Sequence, residues 1–130
     1  MLCVSHLYAR KPTTEPIDAN KIQKKVASVG FDYKSKLDAI DKISEELEEL
    51  KIEIKAQNQS KIKEELGDLI FATLDVSRKL KLDPEIILKK ANNKFYKRWR
   101  KLESLAKKEN LNLNKLSLEN YDLLWNKVKK

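Results

Sequence analysis

A chain of 130 residues with a net charge of +8, 37% charged residues and a single cysteine is long enough for one domain and too short for two of ordinary size. One thiol, Cys3, excludes an intrachain disulfide framework and an all-cysteine metal site, and fits a reducing compartment. No apolar run approaches the roughly 18 residues that span a bilayer, and "MLCVSHLYARK" makes a poor signal peptide, so a cytoplasmic protein without a membrane partner is expected.

Two glycines, three prolines and apolar residues at helical spacing predict an all-α fold. Residues 1–17, with Pro12 and Pro16, read as an irregular lead-in to a single domain over 18–130. Asp18 is the expected N-cap of a first helix running through Val29, with Gly30 as its C′ residue and "GFDYKS" as the following turn. A second helix, Lys36 to about Ala56, sets Leu37, Ile40, Ile43, Leu47, Leu50 and Ile54 three and four apart, an apolar stripe expected to face the core. Across "QNQS", Ser60 is the expected cap of an antiparallel third helix reaching Leu80. That helix is apolar on more than one side, which predicts a central and largely buried position, and Gly67 within it predicts a close helix approach. "LDP" opens a fourth helix with Asp83 as cap and Pro84 at the first position, ending near Glu109. Ser117 caps a last amphipathic segment, "LENYDLLWNKVKK".

Charge is unevenly spread. Asp41 to Asp68 holds nine acids against five bases, whereas Arg78 to Lys108 holds twelve bases against three acids. A negative region beside a positive one suits a metal ion held next to a polyanion. On a helix, residues three apart are neighbours, so Glu46 with Glu49, and Glu65 with Asp68, form two-carboxylate jaws on adjacent helices. At about 5 Å and an effective dielectric near 20, two such charges repel by roughly 3 kcal/mol, which an intervening cation converts to attraction. Carboxylates without His or Cys select a hard ion, Mg²⁺ or Mn²⁺. The competing reading is a solvated acidic face, and it is stronger for Glu45, Glu48, Glu53 and Glu64, which have Lys42, Lys51 and Lys61 within ion-pair reach.

The segments "ANKIQKKVASVGFDY", "KISEELEEL", "KEELGDLIF", "NNKFYKRW" and "LSLENYDLLW" together resemble the catalytic domain of MazG-type nucleoside triphosphate pyrophosphohydrolases, in order and from Ala19 to the C-terminus. The resemblance implies an all-α enzyme that uses Mg²⁺, or Mn²⁺ in its place, to hydrolyse a nucleoside triphosphate to the monophosphate and pyrophosphate, a housecleaning activity on the nucleotide pool. The family's E-E-x-x-E and E-x-x-D patterns fall on Glu45, Glu46 and Glu49, then Glu65 and Asp68. This implies metal ligation by Glu46, Glu49, Glu65 and Asp68 and a catalytic role for Glu45 as base or ligand. Nucleotide contacts are implied at Lys42, Lys61, Lys94, Arg98 and Trp125. Lys94 and Arg98 are one turn apart, and Arg98 can grip a phosphate as a bidentate fork. Tyr33 stands where many members carry Trp, and the best-known bacterial members carry two tandem domains against one here.

The expected assembly is a homodimer in which two helical hairpins complete a four-helix bundle, with the C-terminal helices added to it. Two other classes compete with the enzyme. A nucleic-acid-binding module would use the basic stretch and leave the acids idle, although only weak, salt-sensitive binding to DNA is expected. A helical interaction protein would explain the periodicity but not the acids placed beside Gly67. Pyrophosphate release from nucleotides with MgCl₂ discriminates among the three.

Overall fold

The computed structural model describes residues 15–129, which form five α-helices and one 3-10 turn with no strand among them. The chain divides into two compact units, Met1–Pro84 and Glu85–Lys130.

In the first unit, α1 spans Glu15–Ser28, α2 Lys36–Lys55 and α3 Gln59–Lys79, and α3 packs against both α2 and α1. Helix α1 begins three residues before the expected cap. Pro16 lies in its first turn, where a missing N–H costs nothing, and Glu15 and Asp18 are the acids that a helix N-terminus favours. Glu15, Pro16 and Ile17 therefore belong to α1 rather than to a lead-in. Cys3, His6 and Pro12, with the rest of residues 1–14, lie outside the described residues. The expected end of α1 is present, since Gly30 has φ +105° and its N–H donates to Ala27 O while that of Phe31 donates to Val26 O.

The same hydrogen-bond pattern recurs around Gln57, Lys81 and Asn110, all at positive φ. These non-glycine residues take the left-handed conformation at helix ends because it satisfies carbonyls that would otherwise be orphaned. Ser35 caps α2 by accepting from Asp38 N at 3.1 Å. Asn58, not Ser60, caps α3 by accepting from Lys61 N, because the turn at Gln57 brings the helix start two residues earlier than expected.

Ala39, Leu50, Ala72 and Val76 are the buried apolar residues of this unit, joined by the polar Gln23, Glu46 and Ser77. The α2 stripe does not face a core along its length. Leu37 is 75% exposed and Ile40, Leu47 and Ile54 are exposed as well. Helix α3 is central in its contacts but not largely buried, with Leu66, Ile70 and Phe71 open. Two neighbouring helices lack the surface to cover a helix that is apolar on more than one side. Nothing lies within 4 Å of where a Cβ on Gly67 would sit, so the close helix approach expected there is not made among the described residues.

In the second unit, α4 (Pro84–Lys108) is followed by the 3-10 turn Leu113–Lys115 and by α5 (Leu118–Val128), capped by Ser117 accepting from Asn120 N as expected. Leu102, Ala106, Leu124 and Val128 form its core, with Trp99, Leu113, Tyr121 and Trp125 packed around it. The Tyr121 hydroxyl donates to Leu113 O, tying the 3-10 turn to α5.

Candidate active site

Antiparallel packing of α2 on α3 brings Glu46, Glu49 and Glu65 together, with one carboxylate oxygen of each within 4.8 Å of the others. Glu46 is only 5% exposed, and Oε2 of both Glu46 and Glu65 is buried without a hydrogen-bond partner. Buried acceptors of this kind cost free energy unless something satisfies them. The Glu49 carboxyl titrates above its ordinary range, first because its protonated form hydrogen-bonds Glu65, then through burial and the neighbouring charge of Glu46.

One cation reaches the cluster from within α2. Lys42 Nζ lies 2.8 Å from Glu46 Oε1 and 3.2 Å from Glu45 Oε1, and the Glu46 carboxylate above all holds that ammonium well above its usual range. Asp68 is exposed one turn further along α3 and stands outside the group of three. Lys61 pairs with Glu64 at 3.1 Å and Lys51 with Glu48 at 3.0 Å, the local ion pairs that the spacing offers. The donor set is all carboxylate oxygen, three groups with two unsatisfied buried atoms. A hard divalent ion fits it.

Beside the cluster lies a cavity of about 390 Å³, lined by Ile22, Val26, Phe31, Tyr33 and Phe71 together with Gln23, Asp32, Lys42, Asp75 and Arg78. Lys42 belongs to both sites. The floor of the cavity is an ion-pair network, in which Arg78 contacts Asp32 and Asp75 at 2.6 Å each and Lys79 contacts Asp32 at 3.1 Å. Lys79 Nζ also donates to Tyr33 O, so the turn after α1 is fastened to α3. The Arg78 guanidinium is the main reason that the Asp32 carboxyl sits at about 2. Gln23, Asp32, Asp75 and Arg78 are not identified by sequence reasoning, because the bonds from Arg78 to Asp32 and from Gln23 to Phe71 O join residues 46 and 48 positions apart. The available signal was Asp75 with Arg78, an i, i+3 pair on an otherwise apolar stretch of α3.

The family model described as the MazG nucleotide pyrophosphohydrolase domain matches residues 34–102. The chain belongs to the MazG family. It is 42% identical over 111 residues to the nucleoside triphosphate pyrophosphohydrolase/pyrophosphatase MazG of Thermotoga maritima, covering 85% of this chain and 42% of that protein. To the nucleoside triphosphate pyrophosphohydrolase of Escherichia coli K12 it is 40% identical over 114 residues, covering 86% of this chain and 43% of that one. The chain thus spans less than half the length of these relatives. The MazG match includes the acidic cluster, Lys42, Lys61, Lys94 and Arg98, and it runs across the boundary between the two compact units. Gln23 and Trp125 lie outside it.

The remaining expected nucleotide contacts belong to the second unit. Lys94 is exposed and Arg98 half-buried, one turn apart on α4. Trp125 packs against the core of that unit with the Phe95 ring 5.1 Å away, an arrangement that holds the indole in place from one side.

Proposed function

We propose that residues 18–130 form one catalytic domain that hydrolyses nucleoside triphosphates to the monophosphate and pyrophosphate with Mg²⁺, or Mn²⁺ in its place, as cofactor. The observation carrying this reading is the trio Glu46, Glu49 and Glu65, brought from two helices to within 4.8 Å with two buried oxygens unsatisfied. Glu46, Glu49 and Glu65 would hold the ion, and Asp68, three residues after Glu65 on the same helix, would complete the set on a change of rotamer. When bound, the ion supplies positive charge against the triphosphate and lowers the pKa of a nearby water.

The chain's own groups do the rest. Glu45, exposed and 3.2 Å from Lys42, would take the proton of the attacking water or serve as a further ligand. The water oxygen bonds to the α-phosphorus as the bond to the bridging oxygen breaks, and pyrophosphate leaves. Lys42 and Lys61 offer ammonium groups to the phosphates, and in the second unit Lys94 offers an ammonium and Arg98 a guanidinium to a nucleotide's phosphates, and Trp125 an aromatic face. Positioning and charge stabilisation account for most of the rate gain in such transfers. The test is pyrophosphate release from each common nucleotide in MgCl₂, with excess EDTA expected to abolish it and added Mg²⁺ or Mn²⁺ to restore it. Turnover that persists in EDTA would overturn the metal-dependent reading.

We further propose that the protein acts as a homodimer in the cytoplasm. No helix among the described residues is long and apolar enough to cross a membrane. Leu37, Ile54, Leu66 and Ile70 leave α2 and α3 with open apolar surface of the kind that pairing of two hairpins into a four-helix bundle would cover. Light scattering at micromolar concentration is expected to give twice the 15.2 kDa chain mass.

A further inference from the structure

The whole of the chain's net charge sits in its second unit. Residues 85–130 hold thirteen bases against five acids, which leaves +8, whereas residues 1–84 hold fifteen of each. On α4 these bases are not scattered. Lys97, Lys101 and Lys108 follow Lys90 by seven, eleven and eighteen residues, and at 3.6 residues per turn the four fall within about 40° of one another. All four are exposed, and none makes an ion pair among the described residues. Within about 40° either side of the row's axis, from Lys90 to Lys108, only Lys94 and Ser104 join it. The acids of α4, Glu85 and Glu103, lie about 140° round the helix. Like charges four apart weaken a helix, as Lys90 with Lys94 and Lys97 with Lys101 do, so the row does nothing for α4 itself.

Four ammonium groups in a line suit a polyanion, and the neighbours they lack narrow its kind. A helix that rests on a bilayer inserts an apolar face, and no large apolar side chain stands in the row between Lys90 and Lys108. Protein interfaces are poor in lysine and built around apolar or aromatic centres. Single-stranded nucleic acid is held on aromatic platforms, and Phe95 and Tyr96, exposed on α4, lie at least about 120° from the row. A duplex asks only for positive charge along its backbone. At 1.5 Å per residue the row is about 27 Å long, which faces about eight base pairs at 3.4 Å per step. The wide major groove of B-form DNA admits a helix, whereas that of an RNA duplex is deep and narrow.

We propose that the face of α4 formed by Lys90, Lys97, Lys101 and Lys108 docks on the phosphate backbone of double-stranded DNA without reading its sequence. Lysine ammonium groups are point charges rather than planar forks, so they hold phosphates and leave the bases unread. This binding function is separate from nucleotide hydrolysis and does not depend on it.

The test is fluorescence anisotropy of the full chain with a labelled DNA duplex of arbitrary sequence, about 20 base pairs long, across a salt series. Four phosphate contacts predict a slope of log K against log salt of about −3.6, a loss of roughly 150-fold between about 50 and 200 mM. Changing Lys90, Lys97, Lys101 and Lys108 together to Gln should lower affinity at about 50 mM by about 100-fold or more, and each single change should make the slope shallower by about 0.9. A control with Lys21, Lys24, Lys36 and Lys55 changed to Gln removes the same charge from exposed positions of the first unit and should keep affinity within about threefold. Equal losses in the two quadruple variants would reduce the effect to net charge and overturn the docking face, as would no binding of the duplex at about 50 mM salt. Tighter binding of single-stranded DNA, an RNA duplex or phosphatidylserine vesicles than of the DNA duplex would overturn it as well. All four lysines are exposed, so the stripe variant should melt within a few degrees of the wild type, which separates lost docking from lost folding. Its pyrophosphate release from ATP, read separately, should be unchanged, and a loss there alongside unchanged DNA binding would also overturn the assignment.

Discussion

The two halves of α3 are built with the same residue types and differ in how their charges are met. In the N-terminal half, Glu65 faces Glu46 and Glu49 of α2, three acids with only Lys42 bonded to one of them. In the C-terminal half, Asp75, Arg78 and Lys79 meet Asp32 in a network where each charge has an opposite partner within 3.1 Å. Each like-charge pair at about 5 Å costs roughly 3 kcal/mol at an effective dielectric near 20, while paired charges cost little and fasten the turn after α1. One half of the helix pairs its charges and the other leaves them unpaired, which is the ground for proposing the N-terminal half as a binding site. The comparison can be broken at either end.

The largest effect is expected at the unpaired end. Glu46→Gln should lower pyrophosphate release by about 100-fold or more, in the range seen when a preorganised electrostatic group is lost. Because it also removes one of three mutually repelling charges, the melting temperature without metal should hold or rise. Asp68→Asn should lower activity too, with less change in metal-free melting, since Asp68 stands outside the close group. A Glu46→Gln protein that keeps full turnover, or that melts well below the wild type, would make the acids structural.

This end of the molecule was legible in the sequence, and the other was not, for a physical reason. Glu46 and Glu49 are neighbours by helical geometry alone, and a short connection between Lys55 and Gln59 makes α3 antiparallel to α2, so only one tertiary step is needed to assemble the cluster. Asp32 meets Arg78, and Gln23 meets Phe71 O, only after α1 has docked on α3, and no periodicity encodes that. The helix count followed from periodicity, while Glu15 and Asn58 as helix starts depended on turn geometry that residue preferences alone do not determine. Burial is where periodicity misleads most. It assigns the apolar residues of α2 and α3 to a core, whereas Leu37 and Ile70 are open to solvent in the single chain.

A smaller effect is expected on the basic helix. Lys94 and Arg98 carry no ion pair among the described residues, so by the same argument they are free for an anion. Lys94→Ala and Arg98→Ala should each lower kcat/KM by about tenfold, the order of one charged hydrogen bond, while Lys107→Ala, exposed at the last turn of α4, should change it little. Equal behaviour of all three would show that the basic face is merely solvated.

At the paired end, stability rather than rate should respond. Arg78→Met keeps the apolar stem of the side chain, takes the Arg78 ion pair from Asp75 and leaves Asp32 with Lys79 alone. The expected cost is about 1–3 kcal/mol, read from urea or thermal unfolding. Removing both partners' need for charge should recover part of it, so Asp75→Asn in the Arg78→Met background should be milder than the sum of the two single changes. Strict additivity would mean that the two side chains are not coupled.

The smallest effect is the acid response of Asp32, and its sign follows from the direction of its shift. Its carboxyl sits at about 2 in the folded protein against an ordinary 3.8, chiefly because Arg78 donates to it. A depressed carboxyl binds fewer protons folded than unfolded, so its contribution to stability is fully present above about 3.8 and is lost as pH falls from there toward 2. The side chain retains 28% exposure, so water and salt screen the pair and the contribution is modest. Wild type and Asp32→Asn should therefore differ in melting temperature by a few degrees at pH 7 and converge below about pH 3. The difference should also shrink in about 1 M salt, where the Debye length falls to about 3 Å. Curves that stay parallel down to pH 2 would show that Asp32 holds the turn through packing or backbone hydrogen bonds, and that the paired half of α3 owes its stability to something other than its charges.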